Sequence, residues 1–326
     1  MLSGKVTCER LLSETHPYRR LGQVVDLRPL EREFAGLYSE KGTTGIPIHQ
    51  GLRLMVLQFM EDYSDRQMER ACAENIAVKW FCGFALEDET PDHSYFGKLR
   101  KRLGTSHVAK IFETVVAQMK CKGYVGEVFQ FIDATAIITK TALWEERDEA
   151  IRDGLEKLNN ETVGEYAADG DARFGCRGKN KYFFGYKRHV CVDMKQGVIT
   201  KVAVTPGNVT DAAALKHVVP RSGMVFADKG YCDQKSERLL RARHCHSGVI
   251  KKQNMKDKNP DKDRWLTSVR MPYESVFSKH PKRARYRGWA KVQMQAFLEA
   301  LAINLKRWLT LDALAVKIAH SATVDV

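Results

Sequence analysis

The stretch VFADKGYC, residues 225–232, runs from apolar residues into a carboxylate, Asp228, and continues with lysine, glycine and an aromatic residue. Aspartate and glycine two positions apart are ordinary turn formers, so the stretch fits a strand that leads into a tight turn. It also fits a strand whose end holds a metal-binding carboxylate, because a rigid sheet keeps such a ligand in place. The stretch alone leaves both interpretations open.

A second acid, Asp133, lies in the middle of the β-rich segment VFQFIDATAIITK, residues 128–140. Further strands are predicted over 181–208, as a pair joined by a Lys-Gln-Gly turn, and over 223–228 and 247–252. Helices are predicted from Thr210 or Asp211, over 232–243, from Val269 and over 290–311. The helix that begins at Val269 carries a third acid, Glu274.

This order predicts an α/β domain with a mixed sheet flanked by helices. One acid lies on a central strand, one at a strand end and one on a nearby helix, which is the arrangement of the ribonuclease H-like fold. Three carboxylates that meet at one point suit two divalent cations about 4 Å apart, which bridge a scissile phosphate. Buried carboxylates without a cation would destabilise the fold or have a raised pKa.

The first third of the chain has helical periodicity. Apolar residues recur at helical spacing over 49–61, Ser64 or Asp65 can cap the next helix, and a third apolar segment ends on Gly83. Asp92 or Ser94 then precedes further helices. Short helices joined by tight turns are compatible with a helix-turn-helix DNA reader and equally with a plain helical bundle.

The character of the sequence changes near Gly123. We therefore expect a helical N-terminal domain over 1–124 that binds DNA or dimerises, and a catalytic domain over 125–326. The second domain includes an acidic helical insert at about 142–172, where ten acids face three bases, and a C-terminal helix.

The composition is that of a globular protein, with 44% hydrophobic residues in 326 and a formal net charge of +13. Thirteen lysines and arginines stand against four acids between Lys251 and Lys291, among aromatic residues. Such a basic excess favours a polyanion partner, although many charge runs are simply solvated surfaces.

The eight cysteines have no framework spacing, and we find no apolar run long enough to cross a membrane. Reduced thiols in a cytoplasmic protein are the expectation. The sequence His244-Cys245-His246 is interpreted as structural, because adjacent strand residues point to opposite faces.

Several motifs together resemble bacterial insertion-sequence transposases of the DDE type, in the superfamily of insertion sequences four and five and closest to the insertion sequence five branch. They are FIDATAI around Asp133, GYKRHVCVD with His189, TPGNVTD, VFADKGY around Asp228, and RMPYESVFSK with Glu274 followed by RARYRGWAKVQMQ. The segment from Ile46 to Leu103 is similar to the helical leader domain of that family. As a set these motifs are specific.

The resemblance implies that Asp133, Asp228 and Glu274 are catalytic and bind two Mg²⁺ or Mn²⁺ ions. It implies that Arg270 contacts DNA phosphate. Two positions depart from the superfamily signature, since Thr267 replaces a tyrosine and Pro281 replaces a lysine.

Basic residues near the acids are candidates for DNA contacts. They are Lys229, Lys279, Lys282, Arg283, Arg285, Arg287 and Lys291. Pro281 should end the helix that carries Glu274 about two turns after that acid, so that the following cations lie on a loop. In an extended loop Arg283, Arg285 and Arg287 would share one face.

The resulting hypothesis is a transposase that binds the terminal inverted repeats of its element and target DNA as a dimer or a higher oligomer. It would cleave the transposon end and join the freed 3′-hydroxyl to the target. Two alternatives are a metal-dependent nuclease of the same fold that does not join, and a transposase-derived DNA-binding protein without catalysis. A basic structural protein that binds no nucleic acid is a third.

Overall fold

The computed structural model describes residues 7–37, 45–140, 152–154, 159–177, 181–255 and 258–324, with side chains up to residue 315. The chain divides into two compact units, Met1–Gln118 with Leu301–Val326, and Met119–Ala300. The division lies close to the predicted boundary at 124/125. It differs at the C-terminus, because the last helix groups with the first unit from Leu301 onward.

Helices make up the regular structure described in the first unit before the sheet begins. They are α1 Cys8–Leu11, α2 Pro17–Val24, α3 Arg28–Glu33, α4 Ile48–Met60, α5 Asp65–Glu74, α6 Ile76–Cys82 and α7 His93–Cys121. Local sequence explains where two of them begin and end. Ser64 and Gln67 form a capping box at the start of α5. Gly83, with a φ of 82°, ends α6 in the left-handed conformation that glycine adopts readily.

Helix α7 consists of two segments, because the backbone at Gly104 is not helical (φ 63°, ψ 179°). Asp92 caps the first segment, since its Oδ1 accepts the amide N–H of Ser94 at 2.7 Å and that of Tyr95 at 3.1 Å. The first segment therefore runs from His93 to about Leu103 and has its own direction.

In the described residues of the second unit, six strands form one mixed sheet. They are β1 Phe129–Ile138, β2 Arg173–Arg177, β3 Lys181–Asp193, β4 Val198–Pro206, β5 Gly223–Ala227 and β6 Cys245–Val249. Strand β3 is antiparallel to β1 and β4 is antiparallel to β3, whereas β5 is parallel to β1 and β6 to β5. Strand β2 also pairs with β3, antiparallel. The mixed α/β class predicted from the sequence is confirmed.

Helices cover both faces of this sheet. The helices after β1 include α8 Val163–Tyr166, α9 Asp211–Val218, α10 Gln234–Ala242, α11 Pro260–Ser278 and α12 Trp289–Val324. Leu215 of α9 and Leu240 of α10 share a buried cluster with Ile132 of β1. On the opposite face, Phe277 of α11 packs against Phe131 with ring centroids 4.9 Å apart. Because Asp133 follows Phe131 by two residues, it lies on the face that α11 covers.

Three local predictions need correction. Helix α11 begins at Pro260 behind an Asn259 cap, well before Val269, and it ends at Ser278, one turn after Glu274. The helix therefore ends one turn earlier than predicted. Pro281 stands two residues after the C-cap, Lys279, at a position from which a proline cannot continue the helix, so the cations that follow it lie outside the helix as predicted. Strand β2 was not predicted, because its pairing with β3 is a tertiary effect.

The acidic insert falls partly outside the described residues, which omit 141–151 and 155–158. Its described remainder contains the short helix α8. In the part of the chain that the structure describes, we find no helix long and apolar enough to cross a membrane.

Candidate active site

The first two predicted acids lie side by side on adjacent parallel strands. Ile132 of β1 pairs with Ala227, the last residue of β5, so Asp133 and Asp228 are the next residues on the two strands. The backbone at Asp228 is still extended, with φ −74° and ψ 167°. Neighbouring strands lie about 4.8 Å apart and side chains alternate between faces, so both carboxylates leave the same face next to each other.

The environment of Asp133 disfavours its negative charge. The pKa of Asp133 is raised to about 6, mainly by burial and also by the charges of Asp228 and Asp211. The amide N–H of Ala134 donates to its Oδ1 at 2.8 Å, and this bond lowers the pKa, as does the charge of Arg270. Two adjacent, half-buried carboxylates form an all-oxygen donor set with unrelieved repulsion, which fits a hard divalent cation.

The third predicted acid, Glu274, is not part of this pair in the structure. It is exposed on α11, one turn after Arg270, and residues four apart are neighbours on a helix surface. Among the described residues, no group of three His, Cys, Asp or Glu side chains is close enough to hold a metal ion. The structure therefore joins two of the three predicted ligands, and the role of Glu274 stays a prediction.

Arg270, which is predicted to contact DNA phosphate, is buried in the structure. Its side chain is buried, with 8% exposure, and its guanidinium lies over the ring of Phe131 at 5.4 Å from the centroid. From there its charge lowers the pKa of Asp133. In this structure Arg270 therefore faces the carboxylate and the aromatic ring and has little surface for a phosphate.

Beyond the two acids, one edge of β1 is open. Strand β5 leaves β1 after Ala227, and the chain rejoins the same edge at Ile138, whose amide donates to the Lys282 carbonyl at 2.8 Å. Ile138 in turn accepts the amide of Ala284 at 2.9 Å. In the described chain no strand pairs with residues 134–137 on this edge. From Asp133 to Ile138 the opening is about 16 Å long, at about 3.3 Å per residue, with the acids at one end and the basic segment 279–287 at the other.

Buried polar groups hold the backbone of this basic segment. Arg188 Nη1 donates to the Pro281 carbonyl at 3.3 Å, and Gln295 Nε2 donates to the Arg283 carbonyl at 3.0 Å. Gln295 Oε1 accepts the amide of Arg285 at 2.8 Å. Arg188 itself forms a buried ion pair with Glu299. The segment is thus fixed from below by side chains of β3 and α12.

The cations of the segment point in different directions. Lys282, Arg283 and Arg287 are exposed. Arg285 is half-buried, and its charge lowers the pKa of Glu299 against the raising effect of burial. The prediction that Arg283, Arg285 and Arg287 share one face is therefore wrong, because only the residues around Arg283 pair with a strand and 285–288 bend.

The remaining predicted cations lie on three elements of the same unit. Lys229 is exposed in the turn directly after Asp228. Lys279 is the C-cap of α11, and Lys291 lies in the first turn of α12, both exposed. Each can meet a polyanion without a change in the fold.

One charged residue near the acids was missed as a site residue. Asp211 was considered only as a possible start of a helix, and the structure places it where its charge acts on Asp133. The acid at the end of the motif TPGNVTD was the signal that could have pointed to Asp211 as a site residue. Asp211 begins a helix, and the sequence does not tell which strand end that helix N-terminus will lie beside. The His244-Cys245-His246 stretch lies at the start of β6, where Cys245 is buried and both histidines are exposed.

Comparison with known proteins identifies two matching families. Residues 126–305 match the family described as Transposase DDE domain, and residues 6–102 match the family described as Transposase domain (DUF772). The transposase for insertion sequence element IS1106 of Neisseria meningitidis serogroup B is 27% identical over 224 residues, which cover 65% of this chain and 76% of that protein.

Two solved structures are more distant. The piggyBac transposase synaptic complex with hairpin DNA has 10% identity and a TM-score of 0.44, over 95% of this chain and 75% of that chain. The Mos1 strand transfer complex has 12% identity and a TM-score of 0.23, over 92% of each chain.

Proposed function

Because the chain belongs to the family of transposase DDE domains, we propose that it is a DNA transposase that cuts the ends of an insertion sequence and joins them to target DNA. The observation that carries this proposal is the adjacent pair Asp133 and Asp228, at the point where β5 leaves β1. The open edge beside the pair gives a phosphodiester access to it.

Asp133, Asp228 and Glu274 would hold the divalent ions, Mg²⁺ or Mn²⁺ and two per site. When bound, such ions activate the attacking oxygen and stabilise the leaving oxygen of a phosphodiester. Glu274 is assigned with the other two because it lies one turn beyond Arg270, whose charge reaches Asp133. Its exposed position allows it to approach a ligand at the mouth of the site.

The protein's own residues bind and orient the substrate. Lys229, directly after Asp228, is placed to neutralise a phosphate beside the acids, and Lys282, Arg283 and Arg287 bind the DNA backbone farther along β1. Lys279 and Lys291 extend this basic surface. Because the backbone of 281–285 is already fixed, binding needs little ordering of the loop.

The first segment of α7 is our candidate for reading the terminal repeats. Phe96, Leu99 and Leu103 are buried, and the opposite face exposes Lys98, Lys101 and Arg102. Arg100 bonds Asp65 of α5 at 2.9 Å, which fixes the segment on its unit. A helix of about eleven residues is about 16 Å long, and the major groove admits a helix with such a basic face. The N-terminal unit would then bind DNA and also support assembly of two or more copies.

A direct test uses the full chain with a labelled duplex that ends in the element's inverted repeat, plus a target plasmid. We expect Mg²⁺-dependent release of a 3′-hydroxyl and a labelled joined product, both abolished by EDTA and restored by excess Mg²⁺ or Mn²⁺. Cleavage without any joined product would favour the nuclease alternative. Binding without cleavage in either metal would favour a DNA-binding protein.

A further inference from the structure

The turn that carries Asp228 rests on a charged residue that the family motif does not assign. We propose that Asp211 is a positioning residue, which fixes the turn Asp228–Tyr231 from below and so places the Asp228 carboxylate beside Asp133. The inference rests on the proposed function, since it gives Asp211 a role only if Asp228 holds a cation.

The first observation is the close approach of Gly230 to Asp211. A Cβ at Gly230 would lie 3.0 Å from Asp211 Oδ2 and 3.7 Å from its Cβ and Cγ. Gly230 does not have a positive φ, so the turn needs no glycine for its backbone conformation. A larger residue at position 230 would push against the Asp211 carboxylate, so either the carboxylate or the turn would have to shift by a few tenths of an ångström. We expected Gly230 to allow the backbone to turn after Asp228. In the structure its small size instead matters because of the close approach to Asp211.

The second observation is that Asp211 itself is held in place. Lys187 of β3 donates from Nζ to Asp211 Oδ1 at 3.0 Å, and the two side chains are 16% and 29% exposed. Asp211 is the first residue of α9, behind the Thr210 cap, whose Oγ1 accepts the amide of Ala213 at 3.3 Å. One oxygen of the carboxylate is thus tied to the sheet, and the other faces the turn.

The far end of the turn is also anchored. Tyr231 is buried, its amide donates to the Asp228 carbonyl at 3.0 Å, and its hydroxyl lies 3.4 Å from His189 Nδ1. His189 Nε2 lies 2.9 Å from Thr205 Oγ1. Since Asp211 supports the middle of the turn and Tyr231 its end, the direction of the Asp228 side chain is set by groups outside the acid pair.

The test measures Mn²⁺ binding to the full chain, by the loss of the free-ion electron paramagnetic resonance signal, together with the Mn²⁺ dependence of end cleavage. The variants are Gly230→Ala, Asp211→Ala and the double variant, with Asp133→Asn as the reference for a lost ligand. Groups that orient metal ligands typically change metal affinity by about 10–100-fold when replaced. We expect weakening in that range for Gly230→Ala alone and for Asp211→Ala alone.

The double variant separates positioning from general damage. Asp211→Ala removes Oδ2, the atom that the new Cβ would crowd, and leaves only the Cβ of residue 211 at an ordinary contact distance of 3.7 Å. Gly230→Ala should therefore weaken Mn²⁺ binding far less in that background than in the native one. An equal effect of Gly230→Ala in both backgrounds would overturn the proposal, as would unchanged Mn²⁺ affinity in Asp211→Ala. If Gly230→Ala does not fold, Lys187→Gln, which frees Asp211 without adding volume, must weaken Mn²⁺ binding, and native affinity there would overturn the proposal.

Failure of this inference is distinguishable from failure of the proposed function. If native protein and Asp133→Asn bind Mn²⁺ equally, the metal site itself is misassigned. If Asp133→Asn loses Mn²⁺ while the Asp211 variants keep it, only the positioning role is wrong.

Discussion

At Asp133, opposing electrostatic effects act on one carboxylate. Burial and the neighbouring acids raise its pKa, whereas the Ala134 amide and the charge of Arg270 lower it. The protein supplies a buried guanidinium at this point, and it lies over Phe131. A divalent cation adds the positive charge that two adjacent carboxylates still need, so the residues fit the metal dependence of the family.

His189 makes a separate prediction about pH and stability. Burial lowers the pKa of His189 to about 4, below the value of about 6.5 expected in an unfolded chain. Between these values the unfolded chain binds a proton that the native state does not, so the free energy of unfolding decreases as pH falls through this window. The full contribution is present above about pH 6.5, and each pH unit below it costs up to about 1.4 kcal/mol.

The check is denaturant unfolding of the native chain and His189→Gln at pH 7.5 and pH 5. Glutamine can still bond Thr205 but does not titrate, so the variant should lose less stability between the two pH values. His280, whose pKa burial also lowers, to about 2, is present in both proteins and cancels in the comparison. Equal losses in the two proteins would show that His189 is not held neutral in the native state.

At the scale of elements, strands with strong apolar patterns were predictable and their partners were not. The segments around Asp133 and Asp228 form β1 and β5 as predicted, because their apolar and β-branched residues fit a buried sheet. Strand β2 was not predicted, because its short sequence RFGCR has no strand pattern of its own and is extended by its pairing with β3. Asn259-Pro260 indicates the start of α11, since an N-cap is followed by proline at the first helical position. The prediction missed this start because the first turns of the helix are polar and show no apolar periodicity.

The basic segment shows why side-chain direction could not be predicted from alternation. Alternation holds only while a segment is extended, and pairing with β1 extends only the residues around Arg283. The chain then bends, and Gln295 Oε1 accepts a hydrogen bond from the amide of Arg285. The acid pair was predictable from two motifs, whereas the support by Asp211 depends on a contact between distant parts of the sequence.

Replacement of Arg283 and Arg287 together with alanine should weaken binding of transposon-end DNA. Both are exposed, so the slope of log affinity against log salt should flatten by up to about two phosphate contacts, each worth about 0.9. Mn²⁺ affinity should be unchanged. The matched control is Lys235→Ala with Arg238→Ala, which removes two exposed cations of α10. An unaltered slope in the first double variant, or the same change in the control, would show that this segment does not contact the DNA backbone.

At the scale of the whole molecule, the division into two units predicts that one unit recognises the DNA sequence and the other cleaves and joins the DNA strands. The first unit has the exposed basic face of α7, and the second has the acid pair and the basic segment. The overall charge of +13 favours binding to any DNA, so specificity must come from contacts to bases.

Lys98→Ala with Lys101→Ala should therefore reduce the preference for terminal-repeat duplex over random duplex, as measured by competition binding at fixed salt. Contacts to a single base pair are typically worth about 1–3 kcal/mol, so a loss of preference of about tenfold or more is expected. Arg10→Ala with Arg32→Ala is the control, since both residues are exposed on other helices of the same unit. An unchanged preference in the α7 variant would assign sequence reading to another surface.

The central claim, that Asp133 and Asp228 together form the catalytic acid pair, is tested most directly by Mg²⁺-dependent cleavage of a terminal-repeat substrate. Asp133→Asn and Asp228→Asn each remove a charged ligand without removing volume, so folding and DNA binding should be retained while cleavage falls by orders of magnitude. Asp261→Asn, at an exposed acid in the first turn of α11, should cleave at the native rate. Cleavage near the native rate by either Asp133→Asn or Asp228→Asn would contradict the account.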